Sequence, residues 1–476
     1  MDYKQIGFKS GIELHAEFSG KKLFCNCPAE IKDTKPDFEI KRYLRASASE
    51  LGEYDKAALH EMKKGKYFIY QGYKDINCLV ELDEEPPKDV NPEAVITALQ
   101  ISLLLNCKPV EVLQFMRKVV IDGSNVSGFQ RTGLIAIDGF IDTSKGKVGI
   151  WKVLLEEEAA KKVEDTKEYK KYNISRLGIG MVEIVTSPDI KDPEHAKEVA
   201  GKIGMIIKSV KGTKRGLGSI RQDVNISIRN GARTEVKGFQ DYRNISKVIN
   251  YEIERQLQEI KRGRKIESTV RKAEPDFTTS YMRPLAGQAR MYPETDVPLI
   301  PITKTLLKSI ELPILIDEKV ESIVEMYDLN EHTARELIKK EIDLEYYLIK
   351  YKTLNAKLIA NILLEVPKEI KSRLGLNYDK LRKKDYEEVL NLLDKKDINK
   401  EAVMDIFSEI IKTGKYNLGK YQALDTEIIE QEIKKLVENN PNISFGGLMG
   451  DAMKLFKGKV EGKIISELIK KYKGQK

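Results

Sequence analysis

From Gly11 to Phe18 apolar and polar side chains alternate strictly. Ile12, Leu14, Ala16 and Phe18 fall on one face of an extended chain, and Glu13, His15 and Glu17 on the other. A second alternating stretch, from Asp223 to Lys237, is interrupted by Arg229, Asn230 and Gly231 and predicts a β-hairpin. A two-residue Asn230-Gly231 loop would pair Ile226 with Glu235 and mix polar and apolar groups on both faces. A three-residue loop pairs Asn225 with Glu235 and Asp223 with Lys237. It gathers Val224, Ile226 and Val236 on a buried face and Asp223, Asn225, Ser227, Arg233, Glu235 and Lys237 on the other. A one-residue slip reverses every side chain, so the second register is expected, with Gly231 in the left-handed position. Two further runs end in or enclose acids. Trp151–Ala160 passes from an apolar strand into Glu156, Glu157 and Glu158, and Met181–Val185 encloses Glu183.

Helical periodicity takes over farther on. Asn91-Pro92-Glu93 and Asp192-Pro193-Glu194 each put a cap residue, a first-turn proline and a first-turn acid before an apolar-periodic run. From about Leu312 the pattern is helical throughout, and from about Asn417 it suggests a small separate bundle whose helices are broken at Gly446, Gly447 and Gly450. The expected class is α+β: a first part of antiparallel sheet and helices over 1–300, an all-α part over 301–413 and a helical tail over 414–476.

Composition adds limits. The chain has 476 residues, 41% hydrophobic and 33% charged, as in a soluble globular protein of about three domains. No run approaches the roughly 18 apolar residues of a membrane helix. The N-terminus lacks the apolar core of a secretory signal. Cys25, Cys27, Cys78 and Cys107 are too few and scattered for a disulfide framework, so reduced thiols in a cytoplasm are expected. Cys25 and Cys27 could form half a zinc site, but with Cys78 the nearest other cysteine, plain thiols are the simpler expectation. Net charge is +8, and after Asn439 eight lysines face three acids. Such a tail can attract RNA, or be an ordinary solvated helix surface.

The chemistry resides in the carboxylates. An imidazole and carboxylates spaced roughly 7 Å along a strand suit a divalent metal, and also suit a solvent-facing edge. Glu183 is different, because an acid inside an apolar strand costs free energy unless it is paired or bound to a cation. Several carboxylates with one histidine suit Mg²⁺, a hard ion that accompanies nucleotide phosphates. No Walker A loop, complete dinucleotide fingerprint, GxSxG or HExxH is present.

Those segments closely resemble the family of tRNA-dependent amidotransferase subunits of the B and E types, and the archaeal E branch in particular. GIELHAEFSGKKLFCNCP, NCLVELDEEPP, MRKVVIDGSNVSGFQRTG, LLEEEAA, RLGIGMVEIVTSPDI, KRGLGSIRQDVNISIRNGARTEVKGFQ and RPLAGQARMYPETDVP stand in family order between Gly11 and Pro298. FGGLMGDAMKLFKGKVEGK resembles the family's tail domain. The resemblance implies a cradle-shaped kinase domain, a helical domain and a tRNA-binding tail. It implies phosphorylation of the γ-carboxylate of Glu on Glu-tRNA(Gln), using ATP and Mg²⁺, then amidation to Gln-tRNA(Gln). By the family's motifs, the catalytic metal ligands map to Glu13, His15, Glu157, Glu183 and Glu235. Arg221, Asp223, Asn225 and Lys237 are candidates for nucleotide or phosphoryl contacts. No glutaminase nucleophile or amidase signature is visible, so an asparaginase-like partner, the family's D-type chain, is implied as ammonia source in a hetero-oligomer. The synthetase-like domain that E-type members carry before the RMYPETD motif is missing, since only about twenty residues link the helix ending near Glu259 to Met282. Two alternatives remain: a B-type member acting on Asp-tRNA(Asn) as well as Glu-tRNA(Gln), and a non-catalytic tRNA-binding relative.

Overall fold

The computed structural model describes residues 1–473 apart from 47, 49–51, 55, 217, 240, 286–290, 423, 425, 457–458 and 461. Part of the RPLAGQARMYPETDVP motif and Lys457 and Lys476 of the tail therefore lie outside the described residues. The chain forms two compact units, Met1–Leu315 and Ile316–Lys476.

The first unit is mixed α and β. Its strands are β1 (Lys9–Glu17), β2 (Phe38–Arg42), β3 (Tyr67–Gly72), β4 (Phe115–Val119), β5 (Phe129–Thr143), β6 (Gly146–Glu157), β7 (Lys161–Asp165) and β8 (Tyr169–Asn173). They continue with β9 (Gly180–Thr186), β10 (Ile220–Ser227), β11 (Thr234–Phe239), β12 (Thr269–Ala273), β13 (Thr279–Pro284) and β14 (Met291–Pro293). The large sheet runs β13-β12-β11-β10-β1-β9-β6-β5-β4-β14. Every pair along it is antiparallel except β11 with β12. A separate small sheet runs β2-β3-β8-β7.

Alternation decides what each face of the large sheet meets. Ile12 and Leu14 of β1, Val182 and Ile184 of β9, Val153 and Leu155 of β6 and Val224 of β10 are almost wholly buried. They pack in one core with helices α1 (Pro92–Leu104), α2 (Pro193–Ser209) and α3 (Ile245–Lys261). Each such side chain contributes roughly 2 kcal/mol by leaving water, which is why the apolar set of every strand turns to this side. The helix starts follow the sequence signals. Asn91 accepts from the N–H groups of Glu93 and Ala94, Asp192 accepts from that of His195, and a proline holds the first turn of each helix.

The β10–β11 hairpin takes the register set by the three-residue loop near its turn: Val224 opposite Val236, Asn225 opposite Glu235, Ile226 opposite Thr234. Two details differ from expectation. A bulge shifts the register beyond Val224, and the left-handed residue is Asn230 (φ +61°) rather than Gly231. Gly231 is needed for space instead, because a Cβ there would lie 2.2 Å from Gln256 Oε1 and 2.9 Å from Ile228 Cγ1. Asparagine tolerates the left-handed region better than most residues, so the turn can place glycine where crowding is greatest.

Among its described residues the second unit is helical apart from an isolated bridge between Ile398 and Gln422, and it holds two separate cores. One includes Leu337, Ile359, Leu364, Val389 and Phe407, and the other Ile433, Leu448, Ala452, Ile465 and Ile469. Gly446, Gly447 and Gly450 do not break a helix here but lie within Phe445–Leu455. Ser444 caps that helix by accepting from the Gly447 N–H, while burial of Leu448 and Ala452 offsets the glycines' cost of about 1 kcal/mol each. Among the described residues no helix is long and apolar enough to cross a membrane.

Candidate functional site

The face of the large sheet turned away from its helices is polar at the centre. Strand register puts Glu13 opposite Asp223 and His15 opposite both Glu183 and Arg221. Asn225 is opposite Glu235, and Met181 opposite Glu156. Residues opposite one another share a face, so five adjacent strands deliver their ionisable groups to one surface.

Two groups of metal-ligating atoms result, each within 4.8 Å of one another: His15 with Glu156 and Glu183, and Glu13 with Asp223 and Glu235. In the first, His15 Nε2 lies 3.5 Å from Glu183, and Lys118 Nζ on β4 lies 2.9 Å from Glu156 and 3.8 Å from Glu183. In the second, Lys237 pairs with both Asp223 and Glu235, and Asn225 Nδ2 donates to Glu13 at 2.9 Å. Beside them Glu17 pairs with Lys214 at 3.0 Å and with Arg221 at 3.4 Å, and Arg221 also pairs with Glu158.

Electrostatic strain is built into the site. Burial and the charges of Glu183 and Glu235 push the Glu13 carboxyl above its usual pKa. Burial and Glu183 do the same to Glu156. Burial opposes charge on Glu183 too, yet Lys118 and His15 outweigh it and hold that carboxylate well below the ordinary range. Burial disfavours a charged His15, but Glu183 outweighs it and raises the imidazole pKa. Like-charged oxygens held this close relax by sharing a proton or by taking up a cation. Oxygen-rich donors with one imidazole suit Mg²⁺ or Mn²⁺.

Of the expected ligands, Glu13, His15, Glu183 and Glu235 lie on this face but divide between the two groups. Glu157 lies in neither. It follows Glu156 on β6, so the period of two turns it to the opposite face. There its carboxylate accepts from the Arg131 N–H at 3.1 Å and lies 3.3 Å from the Arg131 guanidinium, which also holds Glu294 at 2.7 Å. Glu156 takes the place on the polar face. Asp223, expected near phosphate, joins the Glu13 group, while Asn225, Lys237 and Arg221 line the same surface. Glu156 and Lys118 are what residue patterns missed: three consecutive glutamates do not show which one faces the site.

The first unit also brings together Cys25, Cys27, Cys78 and Glu81, whose ligating atoms lie within 4.8 Å of one another. Cys25 Sγ donates to Glu81 at 2.9 Å, and the buried Lys22 lies 3.2 Å from the same carboxylate. Burial and Glu81 push the Cys78 thiol up to about 11. Three sulfurs and one carboxylate form a donor set suited to zinc, assembled from segments about fifty residues apart that sequence spacing left unconnected.

Comparison with known proteins brings the observations together. Residues 8–308 match the family model described as the GatB/GatE catalytic domain, and residues 345–472 match the GatB domain model. The chain is 37% identical to the E-type subunit of glutamyl-tRNA(Gln) amidotransferase from Methanococcus maripaludis, an alignment covering 99% of this chain and 98% of the relative. It is 35% identical to the protein of the same name from Methanocaldococcus jannaschii, with 99% of each chain covered. It is 34% identical to that of Archaeoglobus fulgidus, covering 99% of this chain and 98% of the relative. The first alignment runs over 622 positions, so with 476 residues in this chain at least 146 positions have none of its residues opposite them.

Proposed function

This chain belongs to the GatB/GatE family and is a subunit of a tRNA-dependent amidotransferase, and from that premise we propose that it activates the side-chain carboxylate of glutamate misacylated onto tRNA(Gln). A γ-carboxylate oxygen of the glutamyl group attacks the γ-phosphorus of ATP and ADP departs, leaving an acyl phosphate. Ammonia then attacks the acyl carbon, inorganic phosphate leaves with the electron pair, and the nitrogen loses one proton to give Gln-tRNA(Gln). A carboxylate is a poor acyl donor, and phosphate supplies the missing leaving group. As a member of a hetero-oligomer, the chain would take its ammonia from an asparaginase-like partner, in the cytoplasm.

The observation that carries this proposal is the pair of carboxylate groups on one sheet face. Their donors fit Mg²⁺: His15, Glu156 and Glu183 would hold one ion and Glu13, Asp223 and Glu235 a second, with Lys118 and Lys237 close by. Bound there, Mg²⁺ would supply neutralisation of phosphate charge. The chain's own part is positioning. Arg221, held in place by Glu17 and Glu158, would reach a phosphate oxygen, and Asn225 fixes the Glu13 carboxylate. The lysine-rich tail would add a contact to the tRNA.

The test is ADP release by the purified chain with Mg²⁺-ATP and Glu-tRNA(Gln), with and without ammonium. ADP formation that requires Glu-tRNA(Gln), with Gln-tRNA(Gln) appearing on addition of ammonium, is expected. Tight tRNA binding with no ADP, in the presence of the ammonia-supplying partner, would favour the non-catalytic relative. The shorter length relative to the E-type relatives favours one second reading, a B-type member. Amidation of Asp-tRNA(Asn) in the same assay, with an amidase co-purifying, would establish it.

A further inference from the structure

The small sheet buries one face and leaves the other to solvent, and the outward face carries chemistry that phosphoryl transfer does not use. Phe68, Tyr70 and Tyr172 fill the core beneath it. On the other side Tyr43, just past β2, stands next to Tyr67 of β3, with ring centroids 5.9 Å apart. Tyr67 in turn stacks against Tyr169 of β8 at 5.5 Å, the two being register partners across parallel strands. Lys41 Nζ lies 3.8 Å from the Tyr67 ring centroid and 5.3 Å from that of Tyr43. Tyr43 is 68% exposed, so one aromatic ring at the end of the row is largely open to a ligand.

Positive charge is also in excess around this small sheet. Residues 38–45, 63–72 and 161–173, the strands with their flanks, hold eleven Lys and Arg against four Asp and Glu, a surplus of seven in a chain whose net charge is +8. Some of that charge is neutralised internally, as in Lys66 with Asp165 at 2.6 Å and Lys171 with Glu164 at 3.8 Å. Acids outside these segments neutralise more of it: Glu84 pairs with Arg42, Asp33 with Lys161, and Glu61 with both Lys64 and Lys170, and counting those three acids leaves a surplus of four. Aromatic rings in a row on a sheet, amid excess lysine, are how proteins hold unpaired nucleic acid: bases stack on rings and phosphates meet the cations.

We propose that this face binds an unpaired stretch of RNA, its bases stacking on Tyr43 and the neighbouring tyrosines and its phosphates drawn by Lys41 and the surrounding lysines. This deepens the reading of the substrate as a tRNA and rests on it. The surface would be a second hold on that substrate, separate from the carboxylate groups. The test is fluorescence anisotropy of the full chain with a labelled eight-nucleotide single-stranded RNA, without ATP, and with an RNA duplex for comparison. Tyr43→Ala should weaken binding of the single strand about tenfold and leave the duplex unaffected. Tyr43→Phe, which keeps the ring, should bind as the parent does. Lys41→Ala should make the salt dependence shallower. In the ADP assay Tyr43→Ala should raise KM for Glu-tRNA(Gln) and leave kcat unchanged. Because RNA binding is read without turnover, it stands or falls separately from the phosphorylation reading. Single-strand affinity equal to the parent's in both Tyr43→Ala and Lys41→Ala would overturn the proposal. So would variants that bind RNA normally but no longer co-purify with the ammonia-supplying partner, which would make this face a protein interface.

Discussion

Glu156 and Glu157 are neighbours with opposite surroundings, and they separate a cation-site role from a structural one. Glu156→Gln removes a donor from the His15 group. ADP formation should fall about a hundredfold or more, with tRNA affinity and unfolding midpoint nearly unchanged. Glu157→Gln leaves Arg131 with less countercharge in a buried setting, so urea unfolding should show a loss of about 3 kcal/mol. If Glu157→Gln instead abolishes turnover in a stable protein, the division of the two glutamates is wrong. His195 gives a pH prediction. Its Nδ1 accepts from the Lys191 N–H at 3.1 Å and its Nε2 meets Thr143 Oγ1 at 2.8 Å. Burial lowers its pKa against the pull of Glu198 and Asp192. A base with a depressed folded pKa adds stability above its unfolded pKa, near 6.5, and loses it as pH falls. The parent's stability advantage over His195→Gln should therefore shrink between pH 7 and 5 in thermal unfolding.

At the level of elements, the site depends on strands held in one register, and close backbone contacts enforce it. Gly139 of β5 is such a point: a Cβ there would lie 2.2 Å from Cys107 Sγ, 2.5 Å from the Leu105 carbonyl oxygen and 3.0 Å from the Cys107 nitrogen. Two of these atoms are backbone and cannot rotate away. Gly139→Ala should cost about 2–3 kcal/mol by denaturant titration, whereas an alanine at Gly204, which has open space around it, should cost little or nothing. The β10–β11 hairpin makes the same point. Its sequence specifies the register at the turn through the burial of Val224, Ile226 and Val236, and crowding by α3 then decides that Gly231 fills the tight position.

On the scale of the whole molecule, the two compact units have separate cores, and the second unit contains two. Ending the chain at Tyr421 removes every buried residue of the last core and none of the others. The remaining chain should unfold at nearly the parent's temperature by calorimetry. Its tRNA affinity should drop and its log–log salt dependence flatten by about 0.9 per lost phosphate contact. An unchanged affinity would remove the tail from the RNA-binding surface.

Periodicity alone determined the strands that build the polar face, the capped starts of α1 and α2, the helical character of the second unit and the sheet face to which most of the ionisable groups belong. These are local matters, because side-chain alternation and cap chemistry act over a few residues. Tertiary structure decided which carboxylates meet. A β-strand shows one of every two residues to a given face, so choosing Glu156 over Glu157 required the register of β6 against β9. Cys78 and Glu81 reached Cys25 and Cys27 only through folding of the first unit, and Tyr43, Tyr67 and Tyr169 became one surface only when parallel β3 and β8 paired. Such contacts join residues far apart in the chain, and their partners are fixed by which surfaces bury together, information that no local pattern carries.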